Sequence, residues 1–445
     1  MLKPKTLKLY GLRNIDELPQ LKNLSEKTRF ALKVVSNILP FRTNNYVVEE
    51  LIDWDNIPND PIYQLTFMQK DMIDEESFSL MADALKRNNQ SEIQTVAKQL
   101  RNKLNPHPSG QLTANIPLLE GNPVSGVQHK YKETVLVFPS SGQTCHAYCT
   151  FCFRWAQFVG DDSLKFATDE SLRFQEYLKK HKEVTDILFT GGDPMIMSAA
   201  KLEAYILPLL QPEFRHIKNI RIGTKSISYW PYKYLTDKDS DRTLSIFEKV
   251  INAGKHLTII SHLNHYAELS TTAAVLAVQK IRNTGAVIRA QSPILRHIND
   301  IPDVWSTLWQ MQVKNGIIPY YMFVERETGA KKYFEMPIFR AYNIFTEAFK
   351  KVSGLSKTVR GPVMSANPGK VLIDGISEIN NEKVFVLKFI QARNPDWINK
   401  PFYAKFDPKA TWLLQLEPAF GKSKFFYEDE LEEILEERKI DLLAG

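Results

Sequence analysis

All three cysteines of this 445-residue chain fall in one stretch, Cys145-His-Ala-Tyr-Cys149-Thr-Phe-Cys152. An odd number of closely spaced thiols is not a disulfide framework. Thiolates are soft ligands, suited to iron–sulfur clusters, zinc or copper(I). A structural zinc takes four protein ligands, and His146 points away from its neighbours in any regular local backbone. Three thiolates without a fourth suit a four-iron cluster with one iron open to a small molecule, since a closed cluster takes four cysteines. Three merely buried thiols would be scattered through the chain instead.

Four further groups have chemistry in their residue types. Thr190-Gly-Gly-Asp-Pro194 reads alone as a turn, but paired glycines also let backbone approach a ligand, with a peptide edge open to an ammonium group. Ser261-His-Leu-Asn-His265 has two histidines and no third metal ligand at a suitable spacing, which favours hydrogen bonding over metal binding. Val363-Met-Ser-Ala-Asn-Pro-Gly-Lys370 puts a lysine on a flexible, open turn, where an unprotonated amine can bond to an aldehyde cofactor. In isolation it would be a surface turn. Ser125-Gly-Val-Gln-His-Lys-Tyr131 ends in a cation and a phenol, which composition alone allows to be an exposed lysine and a packed tyrosine.

The elements that must position these groups are visible as pattern. Residues 1–115 read as a mostly helical region: Ser25 caps a run with apolar residues at helical spacing, and Pro40, Pro58, Pro61, Pro106 and Pro108 punctuate the rest. Across 116–350, short apolar runs alternate with amphipathic stretches. The strand candidates are Thr134–Phe138, Asp186–Thr190, Ile220–Gly223, Leu257–Ile260, Val287–Ala290 and Ile317–Phe323, and helices are expected at Ser198–Leu210 and Thr271–Ile281. Such alternation with right-handed crossovers gives a parallel α/β sheet. Six units in place of eight suggest a partial (β/α)6 barrel, with functional residues at the C-terminal strand ends. Residues 351–445 form a C-terminal region that carries Lys370, an aromatic-rich stretch and an acidic helix over Tyr427–Arg438.

Composition narrows the class further. With 43% hydrophobic and 24% charged residues the chain reads as an ordinary globular protein. No apolar run is long enough to span a bilayer, and the basic N-terminus lacks a secretory h-region. The net charge of +6 comes from 57 basic residues dispersed among 51 acidic ones, a solvated surface more than a nucleic-acid footprint. Reduced thiols and an oxygen-sensitive cluster fit a cytoplasmic location.

The CxxxCxxC spacing, with Phe151 before the last cysteine, resembles the cluster loop of the radical S-adenosylmethionine (SAM) enzymes. Further segments, in order, resemble the lysine 2,3-aminomutase family over roughly residues 35–375: Leu39-Pro-Phe-Arg42, Pro58–Ile62, Gly191-Gly-Asp193, His262 to Glu268 (with Tyr266 in place of a proline), Gln291–Asp300 and Pro319-Tyr-Tyr321. The resemblance implies a [4Fe–4S] cluster on Cys145, Cys149 and Cys152, with SAM on the open iron. Gly191, Gly192 and Asp193 would hold its amino group, His262, Asn264 and His265 would lie near its adenosyl part, and Gln291 would be a further cofactor contact. It implies pyridoxal 5′-phosphate (PLP) on Lys370, with Lys130 and Tyr131 at the phosphate and Tyr321 in contact. Thr134 stands where the family has a further arginine, and one Pro-Gly pair replaces a longer glycine run before Lys370. The implied reaction begins with reductive cleavage of SAM to a 5′-deoxyadenosyl radical, which takes a β-hydrogen. The nitrogen of a PLP-bound amino acid then moves from the α to the β carbon.

Arg154 matches the arginine that clamps the substrate α-carboxylate, a task for a planar bidentate donor. Trp155-Ala-Gln157 replaces the usual arginine run after it. Lysine-specific members carry aspartates after the Tyr-Tyr strand and before the PLP lysine. Here Arg326 takes the first place, and Val363–Asn367 offers no aspartate at the second. A buried arginine would repel a substrate ammonium by several kcal/mol, so an anionic substrate, glutamate over lysine, is expected. Glu325 could neutralise Arg326 and leave that selectivity open. Expected partners are the amino-acid substrate and a reductant such as flavodoxin or ferredoxin. The family's C-terminal metal-binding cysteines have no counterpart, which leaves a homo-oligomer open. Two other classes compete: a radical SAM enzyme on the same scaffold without PLP or with another substrate, and a non-enzymatic iron–sulfur carrier. The Gly191–Asp193 and His262–His265 segments argue against the carrier.

Overall fold

The computed structural model describes residues 2–108, 114–161, 166–168 and 171–444. Its centre is one eleven-stranded sheet in which the strands lie side by side in chain order. They are β1 (Val127–Tyr131), β2 (Thr134–Val137), β3 (Asp186–Phe189), β4 (Asn219–Thr224), β5 (His256–His262), β6 (Val287–Ile294), β7 (Ile318–Val324), β8 (Arg360–Ser365), β9 (Gly369–Ile379), β10 (Glu382–Ala392) and β11 (Pro401–Lys405). Neighbouring strands from β2 through β8 pair parallel, and β1 and β9 to β11 extend the two sides antiparallel. The edge strands β1 and β11 do not pair with each other, so the sheet is open.

The six strand runs legible in the sequence are β2 to β7. They read as apolar runs because a parallel strand is covered on both faces; β5 is buried at each position from Leu257 to Ser261. Helices Ser171–Lys180, Ala199–Ile206, Ser240–Asn252, Thr272–Asn283, Pro302–Lys314 and Ile338–Lys350 supply much of the covering layer. Two of them start on side-chain caps: Ser198 accepts from the Lys201 amide and Thr271 from the Ala274 amide. The helix expected to run to Leu210 stops at Ile206 and continues as a tighter turn over Leu207–Leu210, where Pro208 removes a donor.

The sheet runs past the sixth expected strand. β8 carries Gly361-Pro362 within a parallel ladder, and proline argues against a central strand. The pairing with β7 shifts register between Tyr321 and Phe323 at this point, which accommodates the missing donor. A Cβ on Gly361 would stand 2.7 Å from the Met322 Cβ, so glycine lets the two strands approach.

Residues before the sheet include helices Glu26–Ile38, Pro61–Thr66, Glu75–Arg87 and Gln90–Lys103. Ser25 caps the first as expected, accepting from the Thr28 amide at 3.1 Å. Their core also takes in Ala147, Phe151 and Trp155, so the helical region is packed directly on the cysteine loop. A third core, which includes Val371, Phe385, Phe389, Trp397 and Trp412, sits behind β8 to β11. The terminal acidic helix spans Glu428–Ala444. No helix of the described residues is long and apolar enough to cross a membrane.

Candidate active site

The cysteines occupy the loop that leaves the C-terminal end of β2. All three are unpaired and partly buried. The loop is tied down from both sides: the Tyr148 amide donates to the Arg42 carbonyl at 2.8 Å and the Thr150 amide to that of Leu65 at 2.9 Å. Asn44 Nδ2 reaches the His146 carbonyl at 3.0 Å, and Arg42 hydrogen-bonds to Thr144 Oγ1. Burial pushes the Cys149 thiol up to about 11, the Cys152 thiol to about 12 and the Cys145 thiol well above its usual range. Three thiolates are therefore costly here without a positive group among them, which is what a metal cluster supplies.

The Gly191-Gly192-Asp193 turn follows β3 and packs against this loop. A Cβ on Gly192 would lie 2.4 Å from the Thr144 amide nitrogen, and one on Gly191 2.0 Å from Gln143 Nε2. The close approach that the paired glycines permit is thus first to the cysteine loop. The Asp193 amide donates to the carbonyls of Gly142 (3.0 Å) and Thr144 (2.7 Å). Its carboxylate accepts from Thr224 Oγ1, the Lys225 amide and the Met195 amide. Burial raises that carboxyl to about 6.

At the end of β5, Lys225 Nζ donates to Asn264 Oδ1 at 3.0 Å and forms a buried ion pair with Glu268. Glu268 also accepts from the amides of Asn264 (2.6 Å) and His265 (3.0 Å). His265 Nδ1 accepts from the Ala267 amide at 3.2 Å, so this nitrogen serves the local turn, and the residue does not line the cavity described below. Three polar atoms here are buried without a partner: Ser261 Oγ, His262 Nε2 and Asn264 Nδ2. Burial holds the His262 ring well below its usual range, hence neutral. Each unmet group costs about 1–3 kcal/mol, which a ligand with matching polar edges, such as a nucleoside, would offset. Among the described residues no three His, Cys, Asp or Glu side chains are arranged to hold a single metal ion.

A cavity of about 240 Å³ lies inside the sheet, lined from β2 (Thr134, Leu136), β3 (Leu188), β4 (Arg221), β5 (Ile260, His262), β6 (Gln291) and β7 (Tyr321, Phe323). Phe151, Phe153 and Arg154 of the cysteine loop form another wall, and Lys130, Tyr131 and Lys370 line it as well. Lys370 is the second residue of β9 and not part of an open turn. A Cβ on Gly369 would stand 2.3 Å from the Gln391 carbonyl oxygen, so the glycine before the lysine serves strand contact. Lys370 Nζ lies 4.9 Å from the Tyr321 ring centre and 5.7 Å from that of Tyr131. Burial, with Arg221, Arg360 and Arg326 nearby, brings its amine down to about 7. Such an amine is available unprotonated at neutral pH, as covalent bonding to an aldehyde requires. Lys130 is likewise held well below its range by burial and donates to the Ala366 carbonyl at 2.5 Å. Arg221 is ion-paired with Asp186 at 2.6 Å, and Arg360 Nη1 donates to Tyr321 OH at 3.2 Å.

The substrate residues expected from the sequence meet at the same cavity. Arg154 lies 4.1 Å from the Phe138 ring centre and 5.2 Å from that of Phe153, and its Nε is buried without a partner. Burial, then the like charge of Arg326, brings it down to about 9. Arg326 stands 4.6 Å from the Phe153 ring centre and donates to Ser365 Oγ at 3.0 Å. Glu325 is buried, and burial pushes its carboxyl well above the usual range against the pull of Arg326 and Lys331. Burial thus works against the negative charge that Glu325 could set against Arg326.

The sheet thus gathers Lys130, Tyr131, Arg154, His262, Gln291, Tyr321, Arg326 and Lys370 on one cavity. Gly191, Gly192, Asp193 and Asn264 do not line it and instead contact the cysteine loop and the ends of β4 and β5. Sequence reading assigned no role to Lys225, Arg221, Arg360 or Gln391, and took Glu268 only as the end of the His262 segment. The one signal for Gln391 was its place as a polar residue closing a largely apolar run from Val384 to Ile390.

No family model matches the chain. A protein of Aquifex aeolicus provisionally named L-lysine 2,3-aminomutase is 31% identical over 404 residues, 90% of this chain and 94% of that protein. The L-lysine 2,3-aminomutase of Methanococcus maripaludis is 24% identical over 70% of this chain and 62% of its own length. That of Clostridium subterminale is 26% identical over half of each chain. Among solved structures, Streptococcus suis SuiB bound to precursor peptide SuiA aligns with a TM-score of 0.36 at 15% identity, over 59% of this chain and 51% of that one. A radical SAM methyltransferase from Sphaerobacter thermophilus aligns at 0.38 and 13%, over 54% and 68%. Likeness that shallow carries no weight on activity. The first of these relatives is matched almost from end to end, and the chain belongs to the lysine 2,3-aminomutase family of radical SAM enzymes.

Proposed function

We propose that the chain is a 2,3-aminomutase that moves an amino group from the α to the β carbon of an acidic amino acid, glutamate in preference to lysine. One observation carries the choice of substrate: two guanidinium groups, Arg154 and Arg326, line the lysine-bearing cavity, and burial works against the charged form of Glu325 next to Arg326. A substrate with two carboxylates would give each arginine a charge-assisted partner. A lysine substrate would set its ammonium against one of them.

When bound, a [4Fe–4S] cluster with SAM would supply the carbon radical, and PLP would supply the conjugated ring that carries the migrating nitrogen. Cys145, Cys149 and Cys152 would hold the cluster. The backbone around Gly191 and Gly192, kept in place by Asp193, would meet the SAM amino group, and His262, Asn264 and Gln291 its nucleoside end. Lys370 would bond PLP, with Tyr131 and Tyr321 against it and Lys130 at its phosphate. Arg154 would orient the α-carboxylate, and the apolar walls from β2 to β7 would keep water from a reactive site. In this reading the sheet is a partial barrel curled round the cavity. Residues 1–115 would cover the cysteine loop, 116–350 would form the barrel, and 351–445 would bring Lys370.

Thr134 lines the cavity where the family has an arginine, and this favours a second reading, a radical SAM enzyme on the same scaffold without PLP. One anaerobic experiment separates them: the reconstituted protein is incubated with dithionite, SAM and a panel of amino acids. Conversion of glutamate to its β-amino isomer by a PLP-containing protein is the expected result. Conversion of lysine in preference would overturn the substrate, and deoxyadenosine formation without bound PLP would move the chain to the second reading.

A further inference from the structure

Strand β10 belongs to the C-terminal region, in a stretch to which the sequence reading assigned no chemistry. It runs antiparallel to β9, and Lys370 is directly opposite Gln391. Gln391 lines the cavity, and its Oε1 accepts from Lys370 Nζ at 2.5 Å, the one hydrogen bond the amine makes among the described residues. The other groups facing the amine include the cations Lys130, Arg221, Arg326 and Arg360 and the phenols Tyr131 and Tyr321. The carboxylate of Asp186, which favours the charged amine, is ion-paired to Arg221.

Two residues further on, Arg393 staples the turn that leads into Lys370. Its backbone amide donates to the Pro368 carbonyl at 3.0 Å, its Nε to the Asn367 carbonyl at 2.9 Å and its Nη2 to Asn367 Oδ1 at 2.7 Å. The same guanidinium reaches Asn115 Oδ1 at 2.7 Å and the Ala114 carbonyl at 3.2 Å. Asn115 lines the cavity. The neighbouring Ala366 carbonyl takes the Lys130 amine. The end of β10 therefore governs where both cavity lysines sit.

We propose that Gln391 is the positioning residue for Lys370, its amide oxygen seating the free amine at the cavity wall for attachment of PLP, with Arg393 fixing the turn that carries the lysine. This rests on the PLP reading above. The choice of an amide has a chemical reason. Attachment exchanges the aldehyde oxygen for the lysine nitrogen with release of water, and it needs the amine without its extra proton. A carboxylate at this place would orient the amine equally well but would hold it as the ammonium ion. An amide orients it and leaves its charge to the surrounding arginines.

The test uses the full-length, PLP-free protein with PLP added. Attachment is followed by the absorbance of the lysine-bound cofactor, by borohydride reduction and by mass analysis of the Lys370 peptide, across a pH series. Gln391→Leu is expected to slow attachment roughly tenfold, the worth of one lost hydrogen bond to the reacting group. Gln391→Glu, nearly the same shape, is expected to move the pH midpoint of attachment up by about one unit or more. A purely structural role for Gln391 would not shift that midpoint. Should Gln391→Leu misfold by its melting curve, the Gln391→Glu profile still decides. Wild-type attachment at Lys370 with both variants unchanged in rate and midpoint would overturn the positioning role and leave the PLP reading standing. Wild-type protein that never attaches PLP at Lys370 would overturn both.

Discussion

Arg154 and Arg326 face the same aromatic ring, that of Phe153, at 5.2 and 4.6 Å from its centre. Guanidinium groups stack well on aromatic faces, so Phe153 lets two cations share one wall of a cavity. Stacking does not satisfy their N–H donors, and Arg154 keeps a buried Nε without an acceptor. In the proposed reading each arginine would meet one carboxylate of the substrate.

Replacing Arg326 should therefore act on substrate choice. With glutamate, Arg326→Gln is expected to lower kcat/KM by about ten- to a hundredfold, the range of a charged hydrogen bond. Arg326→Asp should in addition admit lysine, whose ammonium would then meet an anion. Steady-state assays of both amino acids with each variant check this. Unchanged glutamate kinetics in Arg326→Gln would show that the second carboxylate binds elsewhere.

Lys370 gives a pH signature in stability. Its amine titrates at about 7 in the folded chain against 10.5 for the ordinary side chain. Between those values the unfolded chain binds more protons, so unfolding free energy rises with pH across that window. The penalty for charging the amine is full below pH 7 and gone above 10.5. Lys370→Met removes it. The variant should be more stable than wild type by roughly 2 kcal/mol near pH 7, a value kept below the full shift because Gln391 still solvates the charged amine. The gap should close toward pH 10. Denaturant unfolding of both proteins at the two pH values, compared as differences, measures it. A gap that widens with pH would contradict the burial of the amine.

Much of the frame was legible because parallel strands announce themselves. Each of β2 to β7 is an apolar run too short for a helix and followed by one, and the cysteines, Asp193 and His262 lie at or just after strand ends. β8 was hidden because Gly361-Pro362 has the composition of a turn, and a register shift in the ladder absorbs it. Lys370 was placed on an open turn for the same reason, since the closeness of Gly369 to β10 is a property of the partner strand and not of the Pro-Gly pair. His265 was expected near the adenosyl group from the resemblance, and its Nδ1 accepts from an amide of its own turn. Gln391 and Arg393 lie more than twenty residues beyond the lysine they serve, and no local pattern links them to it.

The Lys225–Glu268 pair is buried on both sides, with side chains about one-tenth exposed and fully covered. Glu268→Ala would strand the ammonium and leave the amides of Asn264 and His265 without their acceptor, an expected loss of about 3–5 kcal/mol. Adding Lys225→Met should recover part of that loss, because the uncompensated charge goes with it. Chemical denaturation of the two variants checks both statements. A double variant weaker than the sum of its single changes would show that the pair is not the relevant unit.

Gly192→Ala tests the contact between the glycine pair and the cysteine loop. The added Cβ would stand 2.4 and 2.5 Å from the Thr144 amide nitrogen and carbonyl oxygen, and 2.7 Å from the Gly142 oxygen. All three are backbone atoms, and the two oxygens are the ones to which the Asp193 amide donates. Neither side can yield by turning a side chain, so the loop that begins Thr144-Cys145 must move. Overpacking of this kind costs about 1–3 kcal/mol, and the displaced thiols should retain iron poorly, with roughly half or less of the wild-type content after anaerobic reconstitution. Gly354→Ala serves as the control, because a Cβ there meets nothing within 4 Å, and it should keep wild-type iron and melting. If Gly192→Ala matches that control, the glycine is not what seats the cysteine loop.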